Sequence, residues 1–125
     1  MRMEHSNITV NNVDDSYAFY REILGFEKRW EGQASGDKGP VRAVHVGTGD
    51  TYLSLFEAEQ AGRAPRGYGS VGVNHLAFEV DDLAVFRRRL NERGIEIHLE
   101  ADYEPGERIY FMDPDGVEIE LVSYK

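Results

Sequence analysis

Cysteine is absent from the 125-residue chain, which rules out disulfides, thiolate metal ligands, iron–sulfur clusters and a cysteine nucleophile. Any chemistry must come from histidine, carboxylates and hydroxyls. Positive charge is scarce as well. Against 23 Asp plus Glu stand only 14 Lys plus Arg, and the formal charge of -9 repels phosphate backbones and anionic membranes. Neither nucleic acid nor a membrane is expected as a partner, and a small molecule is. The one basic run, Arg87 to Arg89, falls within a predicted helix and reads as a solvated face. Long apolar runs are missing too. No stretch approaches the roughly 20 apolar residues that span a bilayer, and the opening "MRMEHSNITV" lacks the apolar core of a signal peptide. A cytoplasmic protein is the expectation, and the length suits one domain with a real core.

What the chain does contain is a repeat. "HSNITV" (5–10) matches "HLAFEV" (75–80), "VDDSYAFYREIL" (13–24) matches "VDDLAVFRRRLN" (80–91), and "GTGDTYLSL" (47–55) matches "DPDGVEIEL" (113–121). Order is kept, and offsets of 70, 67 and 66 leave room for small insertions. Each copy reads as strand, helix and three strands, so the fold class is α+β with two βαβββ modules. Module 1 covers about 1–57 and module 2 about 73–125, joined inside a single domain (1–125) by the Gly-rich linker 58–72. In module 1 the pattern predicts strands at 3–10, 26–31, 41–46 and 51–57. Its helix has Asp14 or Asp15 as N-cap, Val13, Tyr17, Tyr20 and Leu24 inward, and Gly25 as stop. In module 2 it predicts strands at 73–80, 95–100, 108–112 and 117–122. There Asp81 or Asp82 opens the helix, Leu83, Phe86 and Leu90 face inward, and Gly94 ends it.

Strand alternation splits each module into two faces. One is apolar: Ile8 and Val10, Leu53 and Leu55, Leu76, Phe78 and Val80, Ile119 and Leu121. The other is mixed and holds His5 and His75 at equivalent places, with Tyr52 and Ser54, Glu118 and Glu120 beside them. A lone strand histidine is ordinarily a hydrogen-bonded structural residue; two at repeat-equivalent positions ask for more. If a pseudo-twofold relates the copies, His5, His75, Ser54 and Glu120 converge. Two imidazoles, one carboxylate and open positions are the facial arrangement used by non-haem iron and related divalent ions.

The paired modules, a His in the first strand of each, the "DPDG" turn and the closing "EIELV" together resemble the glyoxalase, bleomycin-resistance and dioxygenase group, also called the vicinal oxygen chelate superfamily. The resemblance covers essentially the whole chain. It implies an eight-stranded mixed sheet curling around a metal site, a homodimer, and a divalent ion (iron, manganese, nickel, cobalt or zinc). Its ligand positions fall on His5, His75 and Glu120. Ser54 stands where glyoxalase I usually has a carboxylate or amide, and so becomes a substrate-binding residue. Glu120, as ligand and base, and Tyr110, sharing a face with Arg108, are expected to act in catalysis, with Tyr110 and Arg108 orienting substrate oxygens. The ion would chelate two adjacent substrate oxygens, for glyoxalase-type lyase or isomerase chemistry or for extradiol ring cleavage. An extradiol enzyme would carry one more histidine nearby. The repeat puts His45 over Phe111, on the face opposite Tyr110, and gives His98 no matching context. Fosfomycin-modifying enzymes use the same trio of ligands, but the basic C-terminal segment expected for a phosphonate is missing before Lys125.

The alternative function is a metal-free binder of the bleomycin-resistance type, whose acidic surface would suit a cationic antibiotic. For several other residues structure is the first reading. "DPDG" (113–116) is turn chemistry, the stretches 32–40 and 101–107 are loops, Glu79 and Glu118 are solvated strand carboxylates, and Trp30 is packing.

Overall fold

A computed structural model describes residues 1–58, 62, 68–104 and 106–124. Most of the expected linker (59–61 and 63–67), Pro105 of the second expected loop, and Lys125 lie outside the described residues. The chain divides into two units, Met1–Arg63 and Ala64–Lys125, each one βαβββ module.

In the first unit the order is β1 (His5–Val10), α1 (Val13–Leu24), β2 (Glu27–Gly36), β3 (Gly39–Thr48) and β4 (Thr51–Glu57). In the second it is β5 (His75–Glu79), α2 (Leu83–Glu92), β6 (Leu99–Tyr103), β7 (Gly106–Met112) and β8 (Glu118–Ser123). All eight expected strands are present, four in each of two mixed sheets ordered β1-β4-β3-β2 and β5-β8-β7-β6. The first strand of each module runs parallel to the last, and the other pairs are antiparallel.

The apolar face is the core in both units. Val10, Leu53, Leu55, Val44 and Val46 are fully buried with Val13, Tyr20 and Ile23 of α1. The second unit buries Ile109, Phe111, Ile119 and Leu121 with Leu83 and Leu90 of α2. Ile23 and Leu90, aligned by the repeat, are both wholly enclosed. Tyr17 is not. It sits at the edge of its unit, where its hydroxyl accepts from the Lys28 N–H at 3.3 Å and the Arg21 and Lys28 cations lie over its ring.

Helix α1 begins earlier than the pattern predicts. Its N-cap is Asn12, not Asp14 or Asp15, with the Asn12 side-chain Oδ1 accepting from the Asp15 N–H at 2.9 Å. Buried Val13 is thereby the first helical residue. The two aspartates fall in the first turn, where their charge meets the positive end of the helix dipole. Asp82 caps α2 as expected, accepting from the Ala84 N–H at 2.9 Å. Gly25 closes α1 at φ 72°, a left-handed conformation that glycine takes without steric cost. In "RRR", Arg87 pairs with Glu100 and with Glu107 (2.7 Å), and Arg89 covers the Phe86 ring.

The expected loop 32–40 is mostly ladder. Gly32 to Gly36 pair with Gly39 to Ala43 around a two-residue turn at Asp37 and Lys38. Small residues with little strand preference of their own extend because the Val41–Ala43 side supplies the pairing. Likewise β6 and β7 pair through Tyr103 and Gly106, inside the stretch expected as a second loop. In contrast β6 starts four residues later than predicted. Ile95 is tied back to Leu90 by its N–H, and strand pairing begins only after His98 donates its N–H to the Tyr110 carbonyl.

Replacing Phe111 with Ala should cost about 3–5 kcal/mol, since it removes a fully enclosed ring at the centre of the second unit. Urea denaturation measures it. Gly106→Ala should also destabilise, because an added Cβ would run into the Ser123 carbonyl of the neighbouring strand.

Candidate active site on the second sheet

The parallel register of β5 and β8 pairs His75 with Glu118 and Ala77 with Glu120, and β7 sets Tyr110 opposite Glu120. His75, Glu120, Tyr110 and Arg108 therefore share the face away from α2, as alternation predicts. Glu120 is the hub. Its Oε2 lies 3.1 Å from His75 Nε2, while its Oε1 accepts from the Tyr110 hydroxyl at 3.0 Å and pairs with Arg108 at 3.1 Å. Only 6 % of its side chain is exposed, so the Arg108 charge offsets what would be an expensive isolated carboxylate. Burial and the bond to Glu120 both raise the Tyr110 pKa, which keeps the phenol protonated as a donor.

The other nitrogen of His75 decides what the first one offers. Nδ1 lies 2.6 Å from Asn74 Oδ1. If Nδ1–H donates there, neutral His75 turns a lone pair on Nε2 toward a carboxylate oxygen, two acceptors that only a proton or a cation can bridge. This donor set fits a divalent ion. His75 Nε2 and Glu120 would hold one, with the neutral imidazole and single carboxylate leaving positions for substrate.

A neighbouring cluster departs from the sequence expectation. Glu118 is not a solvated strand carboxylate: 13 % of its side chain is exposed, its Oε1 accepts from Tyr68 at 2.5 Å, and His98 Nε2 lies 2.7 Å from its Oε2. Burial works to raise the Glu118 pKa, but the bonds from Tyr68 and His98 outweigh it and hold the carboxyl below its usual range. His98, without context in the repeat, is thus placed 6.5 Å (ring centroids) from Tyr110. Its signal lay in the β6–β7 hairpin, where His98 immediately precedes the strand that pairs with Tyr110. The "DPDG" turn is structural, as expected. Asp113 Oδ1 accepts from the N–H groups of Asp115 (2.9 Å) and Val117 (2.8 Å), and Gly116 takes φ 79°.

The same face of the first unit is built differently. His5 Nδ1 lies 2.9 Å from Glu4 Oε1, and the ring stacks on Tyr52 at 4.8 Å. Tyr52 stacks on His45 at 4.5 Å, and His45 meets Trp30 at 4.7 Å. His45 pairs with Ser54 just as Tyr110 pairs with Glu120, so it corresponds to Tyr110 and not to Phe111. The "DPDG" turn carries one residue more than its counterpart, and a constant offset misses it. Burial, then repulsion from His5 and Arg29, lowers the His45 pKa and keeps it neutral. Trp30 does pack, but on the open face against His45, with 45 % of its surface exposed. Ser54 is buried, with no carboxylate at its position. Among the described residues no three His, Asp or Glu side chains are assembled as a metal centre. The pair His75 and Glu120 belongs to one unit and His5 to the other.

Comparison with known families matches residues 2–121 to the model of the Glyoxalase/Bleomycin resistance protein/Dioxygenase superfamily. The chain belongs to this superfamily. Among its members, a lactoylglutathione lyase of Neisseria meningitidis is 30% identical over 134 residues, covering 100% of this chain and 92% of its own. A glyoxylase/bleomycin resistance protein/dioxygenase domain from Frankia sp. EAN1pec superposes with a TM-score of 0.83 at 25% identity, covering 100% of this chain and 93% of that one. A fosfomycin resistance protein, FosX, from Listeria monocytogenes shares the fold at 22% identity and a TM-score of 0.79, covering 99% and 92% of the two chains. That protein was crystallised, as an E126Q mutant, with Mn(II) and a dihydroxypropylphosphonic acid. No described helix of the present chain is long and apolar enough to cross a membrane.

Glu118 and Tyr68 give a titration that tests the cluster. The bond to Glu118, with burial second, pushes the Tyr68 pKa up to about 12. In Glu118→Gln one tyrosine should move back toward the ordinary value near 10 when tyrosinate absorbance is followed. The carboxyl's own pKa is depressed in the folded state. Its contribution to stability is therefore present above the usual carboxylate range and lost as pH falls through the folded value. Tyr68→Phe should flatten that acid limb in urea titrations across pH.

Proposed function

We propose that this protein is a divalent-metal-dependent enzyme that grips a small substrate through two adjacent oxygens and carries out glyoxalase-type lyase or isomerase chemistry. The observation that carries this reading is the approach of His75 Nε2 to a buried Glu120 carboxylate whose other oxygen is already held by Tyr110 and Arg108. His75 and Glu120 are the ligands offered by the second module. The family pattern adds His5 as the third. The lyase or isomerase class is supported by the whole-length similarity to a lactoylglutathione lyase.

A bound divalent ion would supply Lewis-acid stabilisation of negative charge developing on the substrate oxygens. The chain's own groups do the rest. Arg108 and the Tyr110 hydroxyl, both within hydrogen-bond reach of Glu120 Oε1, can turn to substrate oxygens as the carboxylate is drawn to a cation. Glu120, besides being a ligand, would be the candidate base for a proton on a carbon next to those oxygens. Ser54 supplies a hydroxyl in place of a second carboxylate, so proton movement on this reading runs through Glu120 alone.

One observation favours a second reaction on the same ligands. His98, with its ring 6.5 Å from that of Tyr110, would supply the additional histidine that extradiol ring cleavage asks for. Iron or manganese with a catechol and dioxygen would be the reagents.

Elemental analysis of protein purified without a histidine tag is the first test. Stoichiometric metal is expected, falling to background in His75→Ala and in Glu120→Ala, and reduced in His5→Ala. Interconversion of lactoylglutathione with glutathione and an α-oxoaldehyde, without hydrolysis, supports the lyase, and oxygen uptake with catechols supports ring cleavage. No metal retained after reconstitution with iron, manganese, nickel, cobalt and zinc would overturn both and leave the metal-free binder.

A further inference from the structure

On the open face of the first sheet, each of the four strands contributes one ring to a single row. His5 of β1 stacks on Tyr52 of β4 at 4.8 Å, Tyr52 stacks on His45 of β3 at 4.5 Å, and His45 meets Trp30 of β2 at 4.7 Å with the planes tilted by 44°. The register sets this order, since His5 and Tyr52 are cross-strand partners, as are His45 and Trp30. The core of this unit lies on the other face, where Val44, Val46, Leu53 and Leu55 are enclosed. The row is therefore not needed to fill the interior, and it leaves aromatic surface in water.

Trp30 shows how that surface is presented. Its indole lies across the place where a side chain of Gly32 would stand, and a Cβ there would collide with the six-membered ring. Glycine at 32 thus lets the indole lie along the sheet, with 45 % of the residue still exposed. Arg29, at the register shift just before Trp30, supplies charge. Its Cζ stands 5.0 Å from the centre of the Tyr52 ring, and one N–H donates to the Thr51 carbonyl at 3.3 Å. Arg2, Lys28, Arg42, Arg87 and Arg108 each pair with a carboxylate, whereas Arg29 has none among the described residues. In a chain with 23 acidic and 14 basic side chains, a cation left without a carboxylate beside an open ring is informative. At the His5 end of the row the Glu4 carboxylate is already engaged by His5 Nδ1 and the Tyr52 hydroxyl.

We propose that this row is a binding site for a planar aromatic anion, whose ring lies on Trp30 and His45 and whose carboxylate pairs with Arg29. Ring faces attract cations as well, but Arg29 already stands over Tyr52, and a second cation there would be repelled. A guanidinium has five N–H groups. With one on Thr51, others are left to take a carboxylate in the paired geometry that arginine favours. The ring of the ligand covers aromatic surface that Trp30 otherwise leaves in water. The site lies wholly within the first unit and needs neither a metal nor the residues of the second.

Trp30 is the only tryptophan of the chain, so its fluorescence reports on the row alone. Metal-free protein titrated with 4-nitrobenzoate, with neutral 4-nitrobenzyl alcohol and with 4-nitrobenzylammonium separates stacking from charge. Saturable quenching by 4-nitrobenzoate is expected, at a midpoint about 5- to 10-fold below that of the alcohol, which is what one guanidinium–carboxylate pair contributes at a half-exposed site. The ammonium compound should bind more weakly than either. Arg29→Gln should bring the nitrobenzoate midpoint up to that of the alcohol, which itself stays where it was. Gly32→Ala displaces the indole and should weaken both, with urea denaturation checking that the variant is folded. Unsaturable quenching by 4-nitrobenzoate, equal midpoints for anion and alcohol in the wild type, a preference for the ammonium compound, or an Arg29→Gln titration that overlays the wild type would each overturn the proposal. Because no metal is present, failure here leaves the metal reading untouched, and failure of that reading leaves this site untouched.

Discussion

The parallel ladder between the first and last strand of each module determines which side chains can meet. Strand side chains alternate with period two, so a slip of one residue between β5 and β8 would send Glu120 to the core and Ile119 to the open face. The apolar set forbids the slip. Ile119 and Leu121 are wholly enclosed, and moving two such side chains to water would cost several kcal/mol. Packing on one face thereby fixes the register that brings His75 and Glu120 to 3.1 Å on the other.

A buried carboxylate is tolerable only with partners. Left alone, Glu120 would carry a desolvation penalty of several kcal/mol. Arg108 supplies the balancing charge and Tyr110 a neutral donor, both against the same oxygen. The second oxygen is left to His75. Without an ion a proton on Nε2 would bridge that pair, and a cation would take the proton's place. Glu118, two residues back on the same strand face, is satisfied separately by Tyr68 and His98 and so does not compete for these donors.

Much of this was legible in the sequence because it depends on periodicity. The two modules, the eight strands, the sharing of one face by His75, Glu120, Tyr110 and Arg108, and the Gly25 stop all follow from alternation, helical spacing and turn chemistry. What the sequence obscured depends on length and on partners distant in the chain. One additional residue in the "DPDG" turn hid the equivalence of His45 and Tyr110. The extended β2–β3 hairpin was hidden by glycines whose pairing is imposed by the opposite strand. Glu118 looked solvated because its partners, Tyr68 and His98, lie 50 and 20 residues away. Asn12 was passed over for two adjacent aspartates, although buried Val13 requires the cap to stand before it.

The repeat itself shows how one backbone frame accommodates two chemistries. At matching register positions the second sheet carries Glu118, Glu120 and Tyr110, and the first carries Tyr52, Ser54 and His45. Core packing constrains the helix-facing positions of both modules to the same apolar pattern. The open-face positions are free of that constraint, since changing them leaves the register intact. Charge has accumulated on one sheet, where each carboxylate has its own donors. Stacked rings occupy the other, where burial lowers the His45 pKa. The histidine of the first strand is common to both faces, opposite Tyr52 in one sheet and Glu118 in the other. Two rows of side chains so unlike each other can share one backbone frame because the register is set by the enclosed apolar face and not by the open one.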